Sequence, residues 1–229
     1  IFDCLPYDAR YFVERINGKT KITDSISSDF AFAKMASIAG KELDILVEDE
    51  VAKALLQSSL SAEIRSRITV TVIGSATALA RQLAAIYVKG EDRPTLAVFD
   101  GDQTNKEQEN LSHAKKMAES ADANFSDWFK SHISYLPGDT WPEAWIVQKS
   151  AECIAKIASL TSSDIDTLSD ILEYGLQAGK HNEFHVISKN LGLERPECLH
   201  LFTISVCQQF LGDFEEVINR IVGILAENG

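Results

Sequence analysis

The amino-acid sequence predicts an α/β fold: a four-stranded, mainly parallel sheet flanked by helices and followed by an all-helical C-terminal extension. Two observations lead to this prediction. Between residues 43 and 136, short apolar runs alternate with segments of helical periodicity, which is typical of parallel sheets covered on both faces. After Pro142 the strand signal disappears, and only helical periodicity remains.

The four predicted strands are short and apolar. They span Leu43 to Val47, Ile68 to Ile73, Thr95 to Phe99 and Ile133 to Leu136. The second, Ile-Thr-Val-Thr-Val-Ile, is the richest in β-branched residues, which favour strands. Helices are predicted between the strands at 51–60, 75–88, 107–121 and 125–130. Ser75 is a suitable N-cap for the second of these helices.

Helices alone are predicted after the sheet, at 142–158, 164–177, 181–191, 197–210 and 213–226. Breaks are predicted at Ser162-Ser163, Gly179, Gly192 and Gly212. Ahead of the sheet, 11–16 is a predicted strand before a turn at 17–19, and 29–39 is a predicted helix. We interpret 1–40 as the tail of a preceding domain or a linker, 41–147 as the core domain, and 148–229 as the helical extension.

Composition indicates an ordinary soluble globular protein. Of the 229 residues, 45% are hydrophobic and 24% are charged, and no apolar stretch is long enough to cross a membrane. The net charge of −12 argues against nucleic-acid binding through a broad basic face. The cysteines, at positions 4, 153, 198 and 207, form no CxxC pair, so we expect reduced, mostly buried thiols in a cytoplasmic protein. Because the chain starts at Ile1 and not at a methionine, we expect it to be a C-terminal part of a longer protein.

Acidic residues follow the ends of three predicted strands. Asp100 and Asp102, separated by Gly101, follow the third strand and can face one point, which suits Mg²⁺ or Mn²⁺. Glu48 follows the first strand, and Glu143 lies just inside the helix after the fourth. Each acid taken alone is better explained as part of an acidic turn or of the first turn of a helix. As a set at the carboxyl edge of a parallel sheet, where ligands bind, they indicate a cation site.

These strand ends resemble a known family. Leu46-Val47-Glu48 followed by Phe99-Asp100-Gly101-Asp102 resembles the glutamate and DxD motifs of Toprim domains. Such domains occur in type IA and type II topoisomerases, bacterial primases and OLD (overcoming lysogenization defect) nucleases. Leu136-Pro137-Gly138 with Pro142-Glu143 is similar to an extra acidic segment of the OLD branch, and Gly179-Lys180-His181 is similar to the part that bears its late catalytic lysine. The resemblance covers residues 43–147 well and the extension weakly.

The resemblance implies a Toprim-like fold and a metal-dependent DNA endonuclease that uses Mg²⁺ or Mn²⁺, with two ions expected. The implied ligands of one ion are Glu48, Asp100 and Asp102, and those of the second are Glu143 with either Asp49 or Glu50. Lys180 would join Glu48, Asp100 and Asp102 as a catalytic residue that stabilises charge on the phosphate or the leaving group. Because crowded carboxylates repel one another, we expect raised proton affinities when no cation is bound.

The same resemblance implies partners beyond these residues. In OLD proteins a Toprim domain follows an ABC-type ATPase domain, and ATP would bind there because this sequence contains no GxxxxGK[ST] loop. The expected substrate is phage or plasmid DNA, and the expected role is bacterial defence against phages. A homodimer or a higher oligomer is one possible state of the protein, and no membrane contact is expected.

The sequence departs from the OLD pattern after the first strand. Asp49 stands where a glycine is usual, and Ala52 occupies the place of a second acidic residue. His181 and His185 are spaced to share one helix face, but with no third ligand nearby we interpret them as surface or core residues. For Lys180, a helix-end lysine without a functional contact is an equally good interpretation.

Three other readings fit parts of the pattern. A degenerate Toprim-like module for binding or dimerisation is favoured slightly by Ala52. The Toprim domain of a primase or topoisomerase would be accompanied by zinc-binding cysteines or a catalytic tyrosine, and neither is recognisable here. A receiver-type domain would need a lysine after its last strand, and residues 137–145 contain none.

Overall fold

An antiparallel hairpin precedes the main sheet. The computed structural model describes residues 6, 9–16, 19–25, 27–28, 42–90, 93–118 and 124–227. Within them β1 (Tyr11–Ile16) pairs with β2 (Lys19–Asp24), which confirms the strand predicted at 11–16. The predicted helix at 29–39 and the turn residues Asn17 and Gly18 lie outside the described residues. The domain boundaries after residues 40 and 147 stay predictions.

The main sheet has four parallel strands, and the predicted fold class is confirmed. In chain order they are β3 (Leu43–Val47), β4 (Ile68–Val72), β5 (Thr95–Phe99) and β6 (Ile133–Tyr135). Their spatial order is β4-β3-β5-β6, and every neighbouring pair is parallel. The carboxyl ends of all four strands therefore meet at one edge, where Glu48 follows β3 and Asp100 follows β5.

Helices cover both faces of this sheet. They are α1 (Glu50–Ser59), α2 (Ala62–Arg67), α3 (Ala76–Lys89), α4 (Glu107–Met117) and α5 (Phe125–Ser131). Ser75 caps α3 as predicted, because its hydroxyl accepts the Ala78 N–H at 3.2 Å. Since alternate strand residues point to opposite faces, Val98 packs in the hydrophobic cluster with α1 while Phe99 packs with α3, α4 and α5. Burial on both faces explains the uninterrupted apolar run of β5.

Helices alone follow β6 in the described chain. They are α6 (Pro142–Glu152), α7 (Ile154–Thr161), α8 (Ile165–Gln177), α9 (Glu183–Leu191), α10 (Arg195–Gln209) and α11 (Glu215–Glu227). The single helix predicted at 142–158 is wrong, because the backbone at Cys153 (φ −117°, ψ 32°) interrupts it. The predicted breaks are confirmed: Ser162, Gly179 and Gly192 have positive φ, and Gly212 lies in the 3₁₀ turn at Leu211–Phe214.

The helical extension packs on the sheet. Phe184 of α9, Phe202 of α10 and Leu225 of α11 belong to the same hydrophobic cluster as Leu43 and Leu55. Polar contacts join the same parts: the Arg67 guanidinium donates to the Leu225 carbonyl at 3.0 Å, and the Cys207 thiol donates to the Leu55 carbonyl at 3.6 Å. The extension therefore shares a core with the strands that position the site.

The structure shows the environment of three cysteines and the apolar content of the helices. Cys198 and Cys207 are buried and Cys153 is half-buried, and these three are free thiols; Cys4 lies outside the described residues. No helix in the described part of the chain is both long and apolar enough to span a membrane.

Candidate metal centre

The turn after β5 is held against the loop after β6. Gly101 begins a 3₁₀ helix that ends at Lys106, and a Cβ at Gly101 would lie 2.7 Å from the Gly138 carbonyl oxygen. Only glycine allows this approach of two backbones. The Asp102 N–H also donates to the Thr140 carbonyl at 3.1 Å. The loop that leads to Glu143 is therefore fixed to the turn that bears Asp100 and Asp102.

Glu48 lies beside this turn. Its Oε1 accepts the Asp100 N–H at 3.4 Å. Burial raises the pKa of Glu48, and the nearby charge of Asp102 raises it further, although the Asp100 and Ala76 N–H groups and the Lys180 ammonium oppose the shift. The structure therefore brings Glu48, Asp100 and Asp102 together as the sequence predicts.

Asp100 is the most perturbed carboxylate of this group. Only 2% of the residue is exposed, and its Oδ1 has no hydrogen-bond partner among the described residues. Burial, together with the charges of Glu48, Asp49 and Asp102, raises the pKa of Asp100 to about 8. At neutral pH this side chain therefore needs either a proton or a cation.

Asp102 behaves differently from its neighbours. Burial alone would raise its pKa, but a hydrogen bond from Gln103 to Oδ1 at 2.9 Å and the charges of Lys180 and Lys106 lower it overall. The two lysine Nζ atoms lie 3.4 Å and 3.7 Å from Asp102 Oδ2. The proton affinities of Glu48 and Asp100 are raised as expected, although burial contributes more than the crowding of carboxylates. The expectation is wrong for Asp102, because the hydrogen bond from Gln103 and the charges of two lysines lower its pKa.

A second group of ligands consists of Asp49, Glu143 and His181, each of which offers one ligand atom within 4.8 Å of the others. Glu143 lies in the first turn of α6 and is 2% exposed. Its Oε1 lies 2.9 Å from His181 Nδ1, and its Oε2 has no hydrogen-bond partner in the described structure. Asp49 caps α1, since its Oδ1 accepts the Val51 and Ala52 N–H groups at 2.9 and 2.8 Å. A carboxylate has further lone pairs, so capping leaves Asp49 able to bind a cation.

Lys180 and His181 come from the loop between α8 and α9. Lys180 Nζ lies 5.4 Å from the centre of the Trp141 ring, close to Asp102. The Trp141 indole N–H donates to Glu183 Oε1 at 2.6 Å, and Glu183 is fully buried. This hydrogen bond ties the loop before Glu143 to the loop that bears Lys180 and His181.

The structure distinguishes between Asp49 and Glu50 as ligands of the second group, a choice that the sequence leaves open. Asp49 joins the second group, whereas Glu50 is exposed and pairs with Lys53 at 3.5 Å. Ala52 is fully buried in the core, so its side chain does not face the site.

Two residues of the site, His181 and Glu183, are not predicted from the sequence. His181 has a φ of 68° in a turn before α9, so the idea that it shares a helix face with the exposed His185 is wrong. No pattern marked Glu183, because an acidic residue in the first turn of a helix is ordinary.

The donor set suits divalent cations. Glu48, Asp100 and Asp102 offer oxygen ligands only, and Asp49 and Glu143 offer oxygens beside the His181 imidazole. The unpartnered buried oxygens of Asp100 and Glu143 are those that a cation would satisfy. Among the described residues, the ligand atoms of Asp49, Glu143 and His181 are close enough to share one cation. Glu48, Asp100 and Asp102 are neighbours that offer further oxygen ligands beside this group.

Comparison with known proteins gives one structural likeness. No protein-family model and no curated protein matches the sequence. The chain is similar to the solved structure of the C-terminal region of the Burkholderia pseudomallei OLD protein, with a TM-score of 0.43 and 14% identity. The match covers 83% of this chain and 100% of that chain.

Proposed function

We propose that this chain is the nuclease part of an OLD-type protein and hydrolyses phosphodiester bonds of DNA with the help of divalent cations. The observation that supports this most directly is the joining of two ligand groups at one sheet edge. One group contains Glu48, Asp100 and Asp102, and the other contains Asp49, Glu143 and His181. Asp49 links them, because its charge also acts on Asp100.

Two divalent cations, when bound, activate water and neutralise charge at a phosphodiester. The side chains of the protein supply the cation ligands and a positive charge for the phosphate. The buried Asp100 and Glu143 offer fixed, unpartnered oxygens as ligands. Lys180 has a half-exposed side chain, so its ammonium can leave Asp102 and donate to a phosphate oxygen. Without cations this acidic edge repels a polyanion, so we expect DNA binding to require metal.

The proposed activity also requires a partner domain, a substrate and a biological role. We propose that an ATPase domain precedes this part of the protein, that phage or plasmid DNA is the substrate, and that the activity serves bacterial defence. The net charge of −12 supports one part of this proposal. A domain so acidic has little general attraction for DNA, so a partner domain would bring the substrate to the metal centre.

Plasmid cleavage tests the proposed activity. Supercoiled plasmid is incubated with millimolar Mg²⁺ or Mn²⁺ and the wild-type chain, Asp100→Ala or Glu48→Ala, with Glu109→Ala as a control on the exposed surface of α4. We expect nicked or linear DNA from the wild type and from Glu109→Ala, and at least about 100-fold less from the site variants. Products that persist after the protein is removed distinguish hydrolysis from the reversible cleavage of a topoisomerase. Equal nicking by all four proteins would refute the assignment.

A further inference from the structure

We propose that Asp49, Glu143 and His181 form a mixed nitrogen and oxygen site that selects a first-row transition-metal ion over Mg²⁺. The inference deepens the proposed function, on which it rests, by making the two cation sites chemically different. Glu48, Asp100 and Asp102 present only oxygen ligands. The second group adds an imidazole, which Mg²⁺ accepts poorly and which ions such as Co²⁺ and Zn²⁺ bind well.

The spacing of the ligand atoms supports this assignment. His181 Nδ1 and Glu143 Oε1 are 2.9 Å apart. Two ligands at right angles on an ion with bonds of about 2.1 Å lie roughly 3 Å apart, so this pair already has the spacing of neighbouring ligands. Without an ion, one proton between the two atoms gives the same distance.

Burial gives a second, independent indication of a ligand. Glu143 is 2% exposed, and its Oε2 has no hydrogen-bond partner among the residues described. Because Oε1 of the same carboxylate contacts His181, the carboxylate faces the group and not the hydrophobic core. A buried carboxylate oxygen without a partner is costly, and an ion at this place would satisfy it.

The backbone around His181 holds the imidazole in place. His181 has a φ of 68°, a conformation that only a few per cent of residues other than glycine adopt, and Gly179 has a φ of 83°. The hydrogen bond between Trp141 and the buried Glu183 fixes the end of this turn at α9. The turn thus directs the imidazole toward Glu143 before any ion arrives, which lowers the cost of ordering a ligand.

The test measures metal selectivity without DNA. The full chain is dialysed against limiting Co²⁺ in the presence of a large excess of Mg²⁺, which occupies the oxygen-only site, and retained Co²⁺ is quantified together with its visible absorption. The variants are His181→Asn and His181→Asp, with His185→Asn as a matched control four residues away. Asn and Asp tolerate positive φ, so the turn is preserved, and circular dichroism with thermal melting checks the fold.

We expect the wild type and His185→Asn to retain one Co²⁺ per chain, and the Co²⁺ preference over Mg²⁺ to fall at least about tenfold in both His181 variants. An unchanged preference in folded His181→Asp, or loss of all bound Co²⁺ to Mg²⁺ in the wild type, would overturn the inference. Plasmid cleavage is scored separately. Selective retention of Co²⁺ by a protein that does not cleave plasmid would support this site and refute the nuclease proposal. Plasmid cleavage by a protein whose Co²⁺ preference is the same in the wild type and the His181 variants would support the nuclease proposal and refute this site.

Discussion

Asp100→Asn should change how the stability of the metal-free protein depends on pH. The pKa of Asp100 is raised from an ordinary 3.8 to about 8, chiefly by burial. The folded state therefore holds this proton more tightly than the unfolded state does. The stability that the proton contributes is complete below about pH 4 and is lost as the pH rises toward 8. Asparagine has the same shape and no such proton, so this dependence should vanish in the variant.

The magnitude follows from the size of the shift. Each pH unit between the two pKa values costs the folded wild type about 1.4 kcal/mol, so the full shift corresponds to an upper bound of about 6 kcal/mol. Structural relaxation and water entry reduce this value in real proteins. Between pH 5 and pH 7.5 we expect the free energy of unfolding of the wild type to fall by at least about 1.5 kcal/mol relative to that of Asp100→Asn.

Urea unfolding in a chelator at several pH values measures this difference. Burial raises the pKa of Glu48 in both proteins, so the comparison reports Asp100 together with its charge coupling to Glu48. Millimolar Mn²⁺ added at pH 7.5 should stabilise the wild type, because it binds only the folded site, and should stabilise the variant much less. Parallel stability profiles for the two proteins without metal would show that Asp100 is ionised at ordinary pH and would refute the argument.

Three further changes have defined outcomes. Asp49→Asn can still cap α1 but should weaken metal binding at least about tenfold, whereas the neighbouring control Glu50→Gln should leave metal binding unchanged. Isothermal titration with Mn²⁺ measures both affinities, and equal losses in the two variants would contradict the placement of Asp49. Trp141→Phe leaves the buried Glu183 carboxylate without its indole partner and should cost about 1–3 kcal/mol of unfolding free energy in urea, together with weaker metal binding. Gly101→Ala places a methyl group 2.7 Å from a backbone oxygen and should lower stability by about 1–3 kcal/mol, and a melting temperature equal to that of the wild type would disprove the tight contact.

Local patterns were enough to predict the sheet and the first ligand group. The strand at 95–99 is buried on both faces, and the strand at 43–47 is apolar except for Asp44, so this signal needs no knowledge of distant contacts. Because parallel strands end at one edge, the nearness of Glu48 and Asp100 follows from the strand assignment alone.

The second ligand group could not be predicted in the same way. Asp49 and Glu50 are neighbours in sequence, and only the start of α1 decides which of them faces the site. The spacing of His181 from His185 matches a helix, whereas His181 lies in a left-handed turn before α9, where it contacts Glu143. Such contacts between distant segments have no signature in a local window of sequence.

The distance along the chain between ligands has a consequence for biosynthesis. Asp102 and Lys180 are 78 residues apart, and Lys180 and His181 belong to the extension that packs on the sheet. A ribosome exposes the carboxylates of β3 and β5 well before the lysine and histidine that complete the site. Because the sheet and the extension share one hydrophobic cluster, the metal centre would be complete only after the extension has docked, and the proposed hydrolytic activity would begin with that step.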